Sequence, residues 1–242
     1  MRLFFRNAGI VSRKELVSYL ASPTAYVVTA VFLGLSGFFF TSVLAAQNYA
    51  DTSIAGFLNA AQLLILLFAA FITMRLVAEE KKLGTWEFLL TAPLRDSEIV
   101  VGKFLGSLAL LGGMLLLTLY YPFLLVILGD PDLGPIATSY VGLALMGSAA
   151  LAVGIFASSI TNNQIVSVVV AGGILFGLWA LGLIVDLVPG VGGEVLGRVA
   201  FAGYFPDFVR GIIDTKAIVY YLGMTVLFLY LSMRTIETGR WR

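Results

Sequence analysis

The chain has 242 residues, 60% of them hydrophobic, with 15 basic and 14 acidic side chains, a net charge of +1, and neither cysteine nor histidine. A charged fraction of 12% is about half the roughly 25% of soluble domains, which excludes an ordinary soluble fold and leaves a membrane protein. The missing residue types exclude thiolate or imidazole metal sites, haem attachment and histidine-based triads, and the near-zero net charge gives no broad field for nucleic acid.

At ~20 apolar residues per spanning helix, this length holds several spans and no soluble domain of ~100 residues or more. Any energy source is therefore expected in another polypeptide. The reading is one six-span domain over 1–242, an all-α integral membrane fold. Residues 1–23 mix Ile10, Val11, Leu16, Val17 and Leu20 with Arg6, Arg13, Lys14 and Glu15, which predicts an N-terminal interfacial helix broken from the first span by Pro23. The apolar run that follows exceeds the ~7 to 15 residues of a signal-peptide core, so it reads as an uncleaved span.

Uninterrupted apolar runs cover 24–46, 54–74, 104–128, 137–160, 165–185 and 217–233, and none contains Asp, Glu, Lys or Arg. Spans must be helical because backbone polar groups cannot stay unpaired in hydrocarbon. In the second run, Asn59 and Gln62 read as interhelical hydrogen-bonding partners. Asp130 and Asp132, beside Pro131 and Pro135, read as solvated turn residues. Two glycine pairs, Gly102 with Gly106 and Gly173 with Gly177, allow close helix approach, inside one subunit or between subunits.

An even number of spans puts both termini on one side. The N-terminal stretch, the loop 75–103 and the tail hold every basic residue except Arg198, Arg210 and Lys216. The positive-inside rule then places both termini in the cytoplasm of a bacterial or archaeal cell, the chain being a multi-pass protein of the cytoplasmic membrane.

The loop between spans two and three is the most distinctive segment. Gly84 suits a helix C-terminus and Thr85 an N-cap, so the second span is expected to run past the membrane, stop, and hand over to a short helix. Glu87 falls in its first turn, where the dipole favours negative charge. Trp86, Leu89 and Leu90 share one face, and Pro93 ends the helix. The alternative is an ordinary interfacial loop with solvated charges. In the external segment 186–216, Phe205, Phe208, Val209, Ile212 and Ile213 follow helical spacing, with Asp207, Arg210 and Asp214 on another face; an amphipathic helix is predicted.

Glu79-Glu80-Lys81, Gly84-Thr85, Glu87, Leu89-Leu90-Thr91 and Pro93 resemble the loop between spans two and three in ABC-transporter permeases of the type-two exporter class. Lys14-Glu15-Leu16, Tyr19, Ser22-Pro23 and Tyr26-Val27-Val28, with Asp207-Phe208, Gly211, Ile213-Asp214, Tyr220-Tyr221-Leu222, Arg234, Glu237 and Arg240-Trp241, are similar to the branch of that class associated with gliding motility. Tyr204 departs from it, standing where many relatives have histidine.

The resemblance implies a cytoplasmic coupling helix that docks on a separate ABC ATPase. Its dock would comprise Glu79, Glu80, Lys81, Gly84, Thr85, Trp86, Glu87, Leu89, Leu90, Thr91 and Pro93, with Lys82 a nearby contact. It also implies an external amphipathic or re-entrant helix between spans five and six, closing the exit as a gate of Phe205, Phe208, Val209, Ile212 and Asp214. The implied partners are two ATPase copies, a second permease subunit, identical or homologous, and a possible auxiliary membrane or periplasmic subunit. ATP and Mg would be bound by the ATPase, with no cofactor in this chain.

The residues agree with borrowed energy. No G-x-x-x-x-G-K-[ST] occurs, since Gly102-Lys103 is followed by Phe104 and preceded at the required distance by Ser97. The apolar runs offer no ionisable group for gradient coupling. The expected function is the membrane subunit of an ATP-driven exporter. A secondary transporter or channel, and a non-transporting assembly or force-transmitting subunit, remain alternatives. Nothing in the apolar bundle selects a substrate.

Overall fold

The computed structural model describes residues 2–46, 54–91, 94–129, 131–188 and 190–239, with the backbone alone at 2, 3, 88–90, 128, 186 and 239. Among them are twelve α-helices, one short 3-10 turn and no strand. They are α1 (Arg2–Ala21), α2 (Pro23–Ala46), α3 (Ala55–Thr73), α4 (Ala78–Lys82), α5 (Thr85–Thr91) and α6 (Asp96–Thr118), followed by α7 (Tyr120–Leu128), α8 (Leu133–Ile160), α9 (Gln164–Ile184), α10 (Val191–Val199), α11 (Phe205–Val209) and α12 (Thr215–Gly239).

Six helical stretches are long and apolar enough to cross a membrane: Pro23–Ala46, Ala55–Lys82, Asp96–Ile127, Leu133–Ile160, Gln164–Ile184 and Thr215–Thr238. The third and sixth extend well beyond the apolar runs and take charged residues with them, whereas in the second α3 ends with the apolar run at Thr73 and the charged α4 follows after a break. Continuing a helix adds one backbone hydrogen bond per residue, so it does not stop where hydrophobicity stops.

α8 lies at the centre, with Met146 and Ala149 to Val153 fully buried, and α3, α6, α9, α11 and α12 pack around it. Its small side chains let neighbours approach closely: Gly147 faces Leu111 and Ile65, Gly154 faces Thr73, and Gly142 faces the Phe208 ring. α2 and α9 touch the bundle on one narrow face.

α1 runs parallel to the start of α6. Asn7 meets Glu98, Val11 meets Gly102 and Glu15 meets Gly106, a register that advances four residues at each step on both helices. The two glycine pairs thus part company. Gly102 and Gly106 are filled by α1, whereas a Cβ at Gly173 or Gly177 would meet nothing within 4 Å.

Each break in the bundle has a local cause. Pro122 has no N–H to give the Thr118 carbonyl, and the Tyr140 hydroxyl donates to that oxygen instead at 3.0 Å. Asp132 caps α8 by accepting from the Gly134 N–H at 2.9 Å. Asn163 caps α9 in the same way through Ile165. Asn59 and Gln62 bond to each other within α3 at 3.2 Å, one turn apart, rather than to another helix.

Candidate functional site

A knot of side chains forms where the second span is interrupted. Two side chains stitch the break between α3 and α4. The Tyr19 hydroxyl donates to the Ile72 carbonyl at 2.8 Å, and the Leu76 N–H turns to Thr73 instead. Ser158 Oγ, from the end of α8, accepts from the Val77 and Ala78 N–H groups at 3.1 and 3.0 Å. The orphan donors at the start of α4 are therefore satisfied by the fourth span. Burial raises the Tyr19 hydroxyl pKa above the ordinary phenol value, and the Glu15 charge adds to that, so the group remains a donor.

Charges tie the same region together. Lys103 Nζ, on a side chain 1% exposed, lies 2.8 Å from Glu15 Oε1 and 2.9 Å from Glu80 Oε2. Lys14 reaches Glu80 Oε1 at 3.3 Å. Arg75 pairs with Glu79 at 3.1 Å and donates to Ser22 and Thr24 at the α1–α2 break. Lys81 Nζ donates to the Ser159 carbonyl. α4 is thus held by α1, α6 and α8 at once. Glu15, Tyr19, Arg75, Glu79 and Glu80 line a polar cleft of about 230 Å³, but each of its carboxylates already faces a cation. Among the described residues, no group of three His, Cys, Asp or Glu side chains is arranged to hold a metal ion.

The residues expected in the dock divide into two sets. Glu79, Glu80 and Lys81 turn inward and are engaged within the chain. Gly84, Thr85, Glu87 and Thr91 are exposed, as is Lys82, while Trp86 is buried. Gly84 has φ +70°, the left-handed conformation that glycine adopts without strain, and it separates α4 from α5. Thr85 opens α5 instead of capping it, and its hydroxyl donates to the Glu80 carbonyl at 3.3 Å. Leu89 and Leu90 lie in α5, known by backbone alone, and Pro93 lies outside the described residues.

Sequence reasoning missed Lys103, Glu15 and Ser158 as members of this site. Lys103 stands one residue before the apolar run, a position that signals an interfacial charge. Its partners are 88 and 23 positions away, so no local pattern joins them.

At the opposite end, 186–216 forms two short helices instead of one amphipathic helix. α11 stops at Val209 because Gly211 takes φ +87°, and Asp214 caps α12 by accepting from the Lys216 N–H. Phe205 and Phe208 are fully buried, Val209 and Asp214 partly so, and Ile212 and Ile213 are exposed. The five gate residues are therefore not one face. Phe201, Phe205 and Phe208 form a plug, fixed by hydroxyls that donate to backbone carbonyls: Tyr221 to Phe201, Tyr220 to Val199, and Thr138 and Ser139 to Phe208. Tyr204 stacks on Tyr220 with ring centres 4.6 Å apart.

Six long apolar helices, the fourth of them the most buried, define a multi-pass helical membrane protein among the described residues. The model of the ABC-2 family transporter protein matches residues 37–206, from the first span to the plug. The chain belongs to this ABC-2 transporter family: it is a permease, the membrane subunit of an ABC transporter, and membership implies an ATPase partner. None of the curated proteins matches the chain.

Proposed function

We propose that the chain is the permease of an ATP-driven exporter, with both termini in the cytoplasm of a bacterial or archaeal cell. It pairs with a second six-span subunit, identical or homologous, and with two ATPase copies that bind ATP and Mg. Within the family, we read the terminal motifs as nearest the gliding-motility branch; that resemblance does not fix the substrate.

α5 is the docking helix in this reading, with Gly84, Thr85, Glu87 and Thr91 on the outward side and the Leu89-Leu90 pair supplying apolar contact. Glu79, Glu80 and Lys81 transmit instead of docking. The single observation that carries this is that α4, next to the dock, is bonded to α1, α6 and α8 together. Closure of the ATPase pair would push α5, and α4 would pass the displacement to three elements instead of along one span. The plug around Phe205 and Phe208 is the outer gate that yields.

Replacing Glu87 or Leu90 with arginine should leave the permease folded but abolish co-purification of the ATPase, or uncouple ATP hydrolysis from transport. Normal complex and normal transport in both variants would sink the docking assignment. Flux through vesicles holding this chain alone would instead favour a channel or secondary transporter. ATPase binding without solute movement would favour a force-transmitting subunit.

A further inference from the structure

α1 carries more than its contact with α6 requires. Its buried face is Ala8, Val11, Glu15 and Tyr19. On another face, Arg6, Gly9, Arg13, Leu16 and Leu20 follow one another at alternating steps of three and four residues, a single stripe along the helix. Arg6 and Arg13 are exposed, and neither pairs with a carboxylate among the described residues. The stripe is basic at its beginning and apolar at its end.

The apolar end runs into a groove. α1 is held tightly on α6, but after Ser22 the chain turns into α2 and leaves a lateral opening of about 710 Å³ between α1, α2 and α6. That volume lies within the ~300–1,000 Å³ of ligand pockets. Leu16, Leu20, Tyr26, Leu33 and Leu117 line it. Gly113, also in its wall, has no atom within 4 Å of where a Cβ would stand. The walls come from the first and third spans, so the groove lies in the hydrocarbon layer and its basic end at the headgroups.

We infer that this groove is a binding site for an anionic phospholipid, with one acyl chain between α1, α2 and α6 and the phosphate on Arg13 and Arg6. Exposed Lys and Arg beside a membrane attract anionic headgroups, and basic pockets between spans on the cytoplasmic side select them. The inference rests on the cytoplasmic placement of the N-terminus proposed above.

The test uses the full chain in phosphatidylcholine vesicles doped with phosphatidylglycerol or phosphatidylcholine carrying a photoreactive group on the acyl chain. The glycerol lipid should label residues 16–33 and 109–117 on the order of tenfold more than the choline lipid. The double variant Arg6→Gln, Arg13→Gln should bring that ratio near one, and Gly113→Phe should abolish labelling of the groove by both probes. Equal labelling of wild type, an unchanged ratio in the arginine variant, or adducts equally dense on α9 and α12 would overturn the proposal. So would an efficient disulfide between copies through Leu20→Cys. Protease accessibility of the tail in intact spheroplasts reads the topology separately; selective labelling with a tail cleaved from outside the cell would keep the lipid site and discard the cytoplasmic placement.

Discussion

The two ends of the molecule are held by different chemistry. At the end around α4, long charged side chains share partners: Glu80 lies between Lys14 and Lys103, and Lys103 between Glu80 and Glu15. At the opposite end, short hydroxyls and tyrosines donate to backbone carbonyls of 199–208 and aromatic rings stack. A shared ion cluster can exchange partners while keeping every charge compensated. A plug fixed by directed bonds and packed rings must lose its contacts together. In the transport reading, the first end adjusts gradually and the second opens abruptly.

The largest effect should come from breaking the ionic end. Lys103→Met leaves Glu15 and Glu80 facing each other without the buried cation, and removing one partner of a buried pair costs about 3–5 kcal/mol. Thermal unfolding in detergent should show it, and adding Glu15→Gln and Glu80→Gln should restore most of the loss. Failure of that rescue would mean the cluster is not acting as a charge-balanced unit.

Next is the plug. A Cβ at Gly142 would stand 2.7 Å from Phe208 Cγ, so Gly142→Ala should destabilise by about 1–3 kcal/mol. In a Phe208→Ala background the same substitution should cost little, since the Cγ and Cδ2 atoms that the new Cβ would meet are gone. A comparable cost follows from Ser158→Ala, which orphans the Val77 and Ala78 N–H groups at about 1–3 kcal/mol; here amide exchange should rise at 74–83 and not at 199–211. The smallest effect is expected for Tyr140→Phe. It removes the contacts of that hydroxyl with the Thr118 carbonyl and with Thr118 Oγ1 and should cost about 0.6 kcal/mol for each, the average for hydrogen bonds between membrane helices, read as a slight fall in Tm.

Much of the fold was legible because burial in a bilayer writes itself into composition. Six apolar runs predict six spanning helices, and six helices long and apolar enough to span stand among the described residues. Gly84 was readable as a helix end because only its own backbone angle was at stake. The helical spacing of Phe205, Phe208 and Val209 was readable too, but its continuation to Ile212 was not. The spacing of apolar residues carries no record of Gly211 adopting φ +87°. The inward turn of Glu79, Glu80 and Lys81 was hidden for a different reason: an exposed loop and a buried ion pair use the same residues, and only the partner distinguishes them.

By itself, the sequence determined that the chain is a membrane protein, how many apolar stretches can span, and which side of the chain is rich in basic residues. These follow from residue-by-residue transfer costs between water and hydrocarbon, and such costs need no knowledge of neighbours. Only the tertiary structure decided that Lys103 is a buried junction, that Ser158 caps the broken second span, and that one glycine pair is filled while the other stays open. Each of these depends on which distant segments meet, and a pairing across 80 or so residues leaves no periodicity in the chain for a sequence to display.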